Sequence, residues 1–266
     1  MKLPHVLITG GAYRLGAVLV RAFATNGWHV FLHYGRSKEK AEQLANSLTQ
    51  KGYSVSCVQA DLAQESDRKA MMDAVYKQTD YLACLINNAA QFEADSADAF
   101  DAIKASSQWS VNLMAPLDLT QILAKRNIQT GQAPSCVIHV LDQKVFNLNP
   151  DYFSYTVGKL ALERTVALQA QALAPRVRVC GVAPGLMYVS GPQSEANFKM
   201  ASSMNLMQTP IDPVDVANTC LFLARNQAIT GVTMTVDNGQ HLVASNRDVM
   251  FVAQEKLECN LESKKV

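Results

Sequence analysis

Short apolar runs alternate with longer segments of helical period along almost the whole of this chain. Seven such runs, rich in Val, Ile and Leu, are HVLIT, HVFLHY, YSVSCVQA, YLACLIN, SCVIHVL, VRVCGVAP and GVTMTVD. Uninterrupted apolar runs of this length are typical of strands buried on both faces, and therefore of parallel sheets. Because helical patterns lie between them, they predict an α/β fold in which seven strands form one doubly wound parallel sheet flanked by helices.

The alternation continues without a linker, repeat or low-complexity tract. The chain has 266 residues, a length that fits one large α/β domain. We assign residues 1–252 to this domain. The last stretch, AQEKLECNLESKKV (residues 253–266), is polar, and we expect it to fray as a C-terminal tail.

The charge and the Cys and His content argue against several classes of protein. A net charge of +1 provides no overall field that would attract nucleic acid or an anionic membrane, and no apolar run is long enough to span a bilayer. Six cysteines form no CxxC pair, and five histidines lack the spacing of metal ligands. We therefore expect free thiols, no metal ion, and a cytoplasmic protein that binds neither nucleic acid nor membrane.

A glycine-rich turn follows the first strand and opens the first helix. Its sequence is TGGAYRLG (residues 9–16), and such a turn lets the backbone approach a pyrophosphate at the helix N-terminus. The candidate contacts with a dinucleotide are Gly10, Tyr13, Arg14 and Leu15. Tight packing is the alternative reason for the glycines, and Arg14 could instead contact a substrate or lie solvated at the surface.

The end of the second strand indicates which dinucleotide binds. NAD-binding chains usually have Asp or Glu there, which accepts a hydrogen bond from the ribose 2′-hydroxyl. This chain has HYGRS, and no acid precedes Glu39. Arg36 can hold a 2′-phosphate bidentately and Ser37 can donate to it, so the motif predicts NADPH as the cofactor. The alternative is that Arg36 merely begins a helix. The candidate contacts are His33, Tyr34, Gly35, Arg36 and Ser37.

Two later strands are each followed by a short motif that suits a cofactor site. Asp61 and Leu62 follow the third strand, where such a pair commonly lines an adenine pocket. Asn88, Ala89 and Ala90 follow the fourth strand, where small side chains let the backbone come close to a cofactor. A structural Asn-Asn turn without function is the alternative for the second motif.

The motif Tyr155-x-x-x-Lys159 lies on a predicted helix after the fifth strand. Residues four apart share one face of a helix, so the lysine ammonium should lie beside the phenol. Such a cation favours the phenolate and should lower the tyrosine pKa from its ordinary value of about 10, which would make Tyr155 a usable proton donor near neutral pH. The spacing also occurs by chance on helices, but its place at the carboxyl end of the sheet favours function.

In their order, the motifs TGGAYRLG, DL, NNAA, Asn112, YxxxK and PG resemble those of the short-chain dehydrogenase/reductase family over residues 5–243. The resemblance implies a single-domain Rossmann-like fold, dinucleotide-dependent oxidoreduction and, usually, a homotetramer. It also implies that Lys159 holds the nicotinamide ribose and that Asn112 supports a water-linked proton relay. Further cofactor contacts implied by the resemblance are Tyr155, Pro184, Gly185 and Leu186.

Within this family, the chain is most similar to the pteridine reductases and dihydromonapterin reductases. Four features carry the similarity: Arg14 in the glycine turn, HYGRS after the second strand, Phe92 at the position of an aromatic that stacks on the pterin, and Asp142 where many members have a serine. Two departures leave the exact pterin open. Ala90 replaces a serine common in the parasite pteridine reductases, and the loop LMYVSGPQSEANFKMASSMNLMQTP has a composition of its own.

An aspartate at position 142 changes what the site can do with a substrate. A serine hydroxyl can donate to a carbonyl oxygen, whereas an ionised aspartate only accepts, and it would repel a developing alkoxide. A ketone therefore fits poorly, while a pterin fits better because its reducible bond is C=N and its ring carries N–H and NH₂ donors. Asp142 could orient Tyr155 or, with a raised pKa, help to supply the proton; the alternative is that it caps a loop.

Aromatic and apolar side chains are candidates for the walls of the substrate site. Phe92 would stack on a flat heterocycle that lies against the nicotinamide, which contributes about 0.5–1.5 kcal/mol beyond area burial, unless it is an ordinary core residue. Tyr188, after PGLM, could line the same cavity. The candidate substrate contacts are Arg14, Phe92, Asp142, Tyr155, Leu186 and Tyr188.

The leading hypothesis is an NADPH-dependent pteridine reductase in which hydride passes to C6 of a 7,8-dihydropterin while Tyr155 protonates N5. Candidate substrates are dihydromonapterin, dihydrobiopterin and dihydrofolate. Two alternatives remain: a reductase of a ketone, a quinone or another imine, and an NADP-binding regulatory protein without turnover. We also expect a homotetramer, with apolar residues such as Leu160, Ala161 and Leu162 at an interface, and a segment around residues 247–251 that reaches a neighbouring subunit's pocket.

Overall fold

Seven parallel strands form one sheet in the order β3-β2-β1-β4-β5-β6-β7. The computed structural model describes residues 3–127, 133–191 and 193–262. The strands are β1 (His5–Ile8), β2 (His29–Tyr34), β3 (Val55–Gln59), β4 (Cys84–Asn87), β5 (Ser135–Val140), β6 (Val177–Pro184) and β7 (Thr233–Val236). Each apolar run of the sequence contributes one of these strands, and every neighbouring pair is parallel, as predicted.

Helices cover both faces of the sheet. They are α1 (Arg14–Thr25), α2 (Lys38–Thr49), α3 (Glu65–Tyr76), α4 (Ala102–Trp109), α5 (Ala115–Asn127), α6 (Phe153–Leu173), α7 (Glu195–Ala201), α8 (Pro213–Arg225) and α9 (Val249–Glu262). Buried side chains of α1, α2 and α8 share one core cluster, and those of α3, α5 and α6 share another. The fold is therefore the three-layer α/β architecture that the alternation predicted.

The first strand shows why an uninterrupted apolar run is needed in such a sheet. Val6 and Ile8 pack in the cluster that contains α1, α2 and α8, whereas Leu7 packs in the opposite cluster. All three side chains are fully buried. Since successive side chains of a strand point to opposite faces, both faces must be apolar when both are covered. Full burial of one such side chain contributes about 1.5–3 kcal/mol.

The strand order creates a crevice at the carboxyl end of the sheet. β1 pairs with β2 on one side and with β4 on the other, so the connections after β1 and β4 leave the sheet at neighbouring positions in opposite directions. Ligands of open α/β sheets bind at this kind of switch point. The glycine-rich turn and the NNAA motif both lie there.

The segment WSVNLMAPLDLTQILAKR has a helical period in the sequence, but in the structure it is divided into two helices joined by a different turn. α4 ends at Trp109, a π-helical turn spans Ser110–Met114, and α5 begins at Ala115. Turns of this kind occur frequently at functional sites, where they re-aim a side chain within a helix. This one contains Asn112.

The C-terminal region differs most from its prediction. Where a fraying tail was expected from residue 253, α9 runs through Glu262 and packs against α7. Ala253 is fully buried, and the side-chain amide of Asn197 donates to the backbone carbonyl of Met250 at 2.9 Å. The polar residues of this stretch therefore lie on the exposed side of a helix that packs against α7. Within the described ranges, no helix has the length and apolar character needed to cross a membrane.

Candidate active site

The glycine-rich turn is tied to the end of β4 by hydrogen bonds. The Thr9 hydroxyl accepts from the backbone amides of Asn88 at 2.9 Å and Ala89 at 3.0 Å. Gly10 has a left-handed φ of +63°, and a Cβ on Gly16 would lie 1.9 Å from the Gly10 carbonyl oxygen. Tight packing therefore explains Gly16, whereas Gly10 supplies the backbone conformation that exposes the turn at the crevice.

His33 supports the turn from behind and does not face the crevice. Its Nδ1 accepts from the Gly10 amide at 3.0 Å, and Nε2 contacts the Ala60 carbonyl oxygen at 3.1 Å. The side chain is 2% exposed, and burial lowers its pKa to about 4, so the ring is neutral. Tyr34 is likewise packed in the core. The side chains of His33 and Tyr34 thus face the interior, and the predicted contacts of these two residues with a dinucleotide stay predictions.

Arg36 and Ser37 lie at the N-terminus of α2. Arg36 is exposed and Ser37 is partly buried, next to the exposed Gly35. Ser37 occupies the N-cap position, but its hydroxyl makes no capping hydrogen bond. Within the described part of the chain, the Arg36 guanidinium has no carboxylate partner. An unpaired cation and a free hydroxyl at a helix N-terminus suit an anionic group such as a phosphate.

The motif after β3 divides into an exposed acid and a buried leucine. Oδ1 of Asp61 accepts from the Ala63 amide at 3.0 Å, and Leu62 is 6% exposed in the core. Asp61 thus shapes its own turn at the edge of the crevice. Its predicted contact with an adenine ring stays a prediction.

Arg14 closes one end of the crevice. Its φ of +50° is left-handed, which is uncommon for a residue with a side chain. The guanidinium donates to the backbone carbonyl of Val189, in the loop after β6, and lies 5.9 Å from the centroid of the Tyr188 ring. Arg14 therefore joins the glycine-rich turn to the loop that follows β6.

A cleft of about 460 Å³ brings most predicted site residues together. The predicted residues that line it are Arg14, Leu15, Asn88, Ala90, Phe92, Asp142, Tyr155, Lys159, Pro184, Gly185, Leu186 and Tyr188. The pocket is large enough for more than one ring system, and it combines apolar walls with a few buried polar groups, as small-molecule sites do.

Tyr155, Asp142 and Lys159 converge in this cleft. The Tyr155 hydroxyl donates to Oδ2 of Asp142 at 3.0 Å. Lys159 lies one turn further along α6, and its Nζ is 5.7 Å from the centroid of the Tyr155 ring and donates to the Val140 carbonyl at 2.7 Å. Asp142 also caps a short 3₁₀ turn, because its Oδ1 accepts from the Lys144 amide at 2.9 Å. The capping and the active-site contact are therefore made by the same carboxyl group.

The charges in this group are set mainly by burial. Burial raises the pKa of Asp142, although hydrogen bonds from Lys144 and Tyr155 oppose it. Burial and the nearby Asp142 raise the pKa of Tyr155 well above its ordinary value. The lowering of the Tyr155 pKa expected from Lys159 is therefore wrong in direction, since burial of the phenol and the nearby carboxyl of Asp142 both disfavour the phenolate. Burial also lowers the pKa of Lys159 to about 8.

Asn112 lies behind the cleft and does not line it. Its side-chain amide donates to the Gln91 carbonyl at 2.7 Å, and its carbonyl accepts from the Gln91 amide at 2.8 Å. The residue is 1% exposed. Its side chain thus fixes the backbone that carries Phe92, and its part in a proton relay stays a prediction.

Phe92 belongs to an aromatic cluster at the mouth of the cleft. It is 41% exposed, which excludes an ordinary core role. Its ring stacks on Tyr152 with centroids 4.0 Å apart, and it meets Tyr155 edge-on at 4.7 Å. Tyr152 in turn stacks on Phe251 at 6.3 Å. A flat aromatic surface therefore adjoins the phenol of Tyr155.

Several groups at the cleft were not foreseen from the sequence. The C-terminal segment (residues 245–252) lines the pocket of its own chain, and its predicted reach into a neighbouring subunit's pocket stays a prediction. Met250 packs against Tyr152 and Tyr155. The Gln240 side chain accepts from the Leu186 amide at 3.0 Å and so fixes the loop after β6. In the sequence, the apolar residues Met250 and Phe251 within RDVMFV indicated that this segment would be buried.

The chain is similar to known proteins over most of its length. The family model for short chain dehydrogenases matches residues 4–199. A dihydromonapterin reductase from Escherichia coli (strain K12) is 27% identical over 237 residues, which are 89% of this chain and 96% of the relative. FolM alternative dihydrofolate reductase 1 from Brucella canis, solved with NADP, has a TM-score of 0.86 at 33% identity and covers 91% of this chain and 95% of its own. The Brucella suis protein, also solved with NADP, has a TM-score of 0.84 at 32% identity, with 92% and 98% covered.

Proposed function

Because the chain belongs to the short-chain dehydrogenase family, we propose that it is an NADPH-dependent reductase of a 7,8-dihydropterin. The observation that carries this proposal is the 3.0 Å hydrogen bond from the Tyr155 hydroxyl to Asp142, in a cleft that also contains the exposed ring of Phe92. The names of the relatives, a dihydromonapterin reductase and an alternative dihydrofolate reductase, support a pterin substrate.

Several features of the chain fit a bound NADPH. Gly10 exposes the backbone of the turn, Arg36 and Ser37 offer an unpaired cation and a free hydroxyl, and the Lys159 ammonium reaches the cleft. The solved Brucella relatives contain NADP, which agrees with this assignment. When bound, NADPH supplies the hydride, while these residues hold and orient it.

We expect a clear preference for NADPH over NADH that depends on Arg36. Charge-assisted hydrogen bonds contribute about 1.5–3 kcal/mol, so Arg36→Gln should weaken NADPH binding roughly 10–100-fold and leave NADH binding nearly unchanged. Fluorescence titration gives both dissociation constants. Arg21→Gln is the matched control, because Arg21 is an exposed arginine on α1 whose guanidinium donates to the Ala17 carbonyl of the same helix at 3.3 Å. Equal affinity of the parent chain for the two cofactors would overturn the assignment.

The substrate chemistry follows from the acceptors and the aromatic surface of the cleft. A pterin ring would lie with one face on Phe92, and stacking of this kind contributes about 0.5–1.5 kcal/mol beyond area burial. Its N–H and NH₂ donors suit the carboxyl of Asp142, and Arg14 at the closed end offers N–H donors to ring acceptors. Leu186 and Tyr188 provide the remaining wall.

Proton delivery to N5 would start from Tyr155. Its raised pKa keeps the phenol protonated at neutral pH, so a proton is present to donate. A phenolate left 3.0 Å from an ionised Asp142 would be strongly disfavoured. Because burial also raises the pKa of Asp142, that carboxyl can return a proton to the phenol as N5 takes one. In this scheme Asp142 both orients Tyr155 and replenishes it.

The direct test is consumption of NADPH in the presence of a panel of 7,8-dihydropterins that differ in their C6 side chain. Dihydromonapterin, dihydrobiopterin and dihydrofolate are the members to include. Turnover with at least one of them, with a tetrahydropterin as the product, supports the proposal. An absence of turnover across the whole panel, under conditions where NADPH binds, would remove it.

We also propose that the enzyme is a homotetramer. Leu168 on α6 is 63% exposed and lines an apolar groove together with Leu117 of α5, a surface suited to burial between copies of the chain. Leu162, which had been assigned to an interface, is 1% exposed and packs in the core of its own chain. Sedimentation should give a mass near four chains, and a mass near one chain would contradict this arrangement.

A further inference from the structure

Lys144 is a buried cation that the proposed chemistry does not use. Its side chain is 3% exposed, and Nζ donates to the Asp151 carbonyl at 2.6 Å and pairs with Oδ2 of Asp248 at 3.3 Å. The ammonium also lies 5.2 Å from the centroid of the Tyr152 ring. Burying an ammonium costs solvation free energy even when the ammonium is paired. The buried position of Lys144 therefore calls for an explanation.

The same residue touches both the active-site acid and the C-terminal segment. Its backbone amide donates to Oδ1 of Asp142, while its side chain holds Asp248, which belongs to the C-terminal segment. The segment is anchored nearby a second time, because the Asp248 amide donates to Asp151 at 2.7 Å and Arg247 pairs with that carboxylate at 3.0 Å. Lys144 thus joins two parts of the chain that are far apart in sequence.

We propose that Lys144 is a positioning residue that acts through Asp142, and that Asp248 of the C-terminal segment holds its ammonium in place. The inference deepens the proposed function and rests on it, since it assumes that Asp142 and Tyr155 deliver the substrate proton. The Lys144–Asp248 ion pair then links the position of the C-terminal segment at the pocket to the protonation of Asp142.

The charges around Asp142 determine the direction in which each substitution should shift its titration. The groups that face its carboxyl are Lys144 on the 3₁₀ turn, Tyr155 and Lys159 on α6, and Asp248 on the C-terminal segment. The positive charge of Lys144 lowers the pKa of Asp142, whereas the negative charge of Asp248 raises it. Neutralising the two ends of the pair should therefore move the titration of Asp142 in opposite directions.

The test uses the full-length protein with NADPH bound and three variants: Lys144→Met, Asp248→Asn and the double variant. The infrared C=O stretch of the protonated Asp142 carboxyl is followed against pH and is assigned by its loss in Asp142→Asn. We expect the midpoint to move to higher pH in Lys144→Met, to lower pH in Asp248→Asn, and back toward the parent in the double variant. Lys104→Met, on the exposed side of α4, should leave the midpoint unchanged.

Kinetics give the second measurement. The basic limb of kcat/KM for a dihydropterin should move with the infrared midpoint in each variant. Midpoints that shift in the same direction in both single variants, or not at all in folded protein, overturn the inference. If Lys144→Met does not fold, Asp248→Asn decides alone, because a purely structural ion pair predicts no downward shift. Correct infrared shifts in a chain that reduces no dihydropterin would overturn the proposed function and, with it, the role of Lys144 in proton delivery, and would leave only the electrostatic link from Lys144 and Asp248 to Asp142.

Discussion

Replacing Tyr155 by phenylalanine should abolish reduction while leaving the cofactor bound. The phenol lies between the carboxyl of Asp142, at 3.0 Å from its hydroxyl, and the ring of Phe92, whose centroid is 4.7 Å from that of Tyr155. General acid catalysis contributes typically 10²–10⁴-fold, so kcat for a dihydropterin should fall by about that factor. The dissociation constant of NADPH should change little, because Lys159 and the glycine-rich turn are untouched. Stopped-flow measurement of NADPH oxidation gives the first quantity, and fluorescence titration gives the second.

The matched control is Tyr53→Phe, which removes a hydroxyl from a partly buried tyrosine that packs against the core cluster of α1 and α2. It should retain full activity. Folding of Tyr155→Phe is checked by its melting temperature, which should fall by only a few degrees, since the substitution removes one hydrogen bond to a buried carboxyl. A Tyr155→Phe enzyme with more than a tenth of the parent's kcat would show that the proton reaches N5 by another route.

Local periodicity was enough to predict the framework of the site. The run HVLIT had to be a two-sided buried strand, and Val6, Leu7 and Ile8 are indeed all fully buried. Parallel strands end at a common edge of the sheet, so the sequence alone predicted that the motifs following these strands lie close together. The proximity of Tyr155 and Lys159 could be predicted from the geometry of a single helix.

The parts that could not be predicted depend on contacts between distant positions. The role of the His33 ring in supporting the turn could not be predicted, because it depends on a hydrogen bond from Gly10, 23 residues away in sequence. The pKa of Tyr155 was expected to fall because the sequence shows its lysine neighbour but not its burial or its hydrogen bond to Asp142. α9 was hidden by polar composition, since its docking depends on α7 and the side chain of Asn197.

Restoring a serine at position 142 should invert the substrate preference of the enzyme. Asp142→Ser replaces the carboxyl that accepts from pterin N–H donors by a weaker acceptor and removes the acid that replenishes Tyr155, and it supplies a hydroxyl that can donate to a carbonyl oxygen. We expect kcat/KM for a dihydropterin to fall by roughly 100-fold or more and turnover of simple ketones to appear or increase. The ratio of the two specificity constants, measured with the same NADPH concentration, is the quantity to compare.

A second variant, Asp142→Ala, separates the gain of a donor from the loss of an acid. Alanine should also lose pterin reduction but gain no ketone turnover, because it has no hydroxyl. Serine can still cap the 3₁₀ turn by accepting from the Lys144 amide, whereas alanine cannot and should cost about 1 kcal/mol of stability. Undiminished pterin reduction in Asp142→Ser would show that the carboxyl only caps the turn. The pterin preference would then have to come from Phe92 and Arg14 alone, and a ketone would become as good a substrate class as a C=N bond.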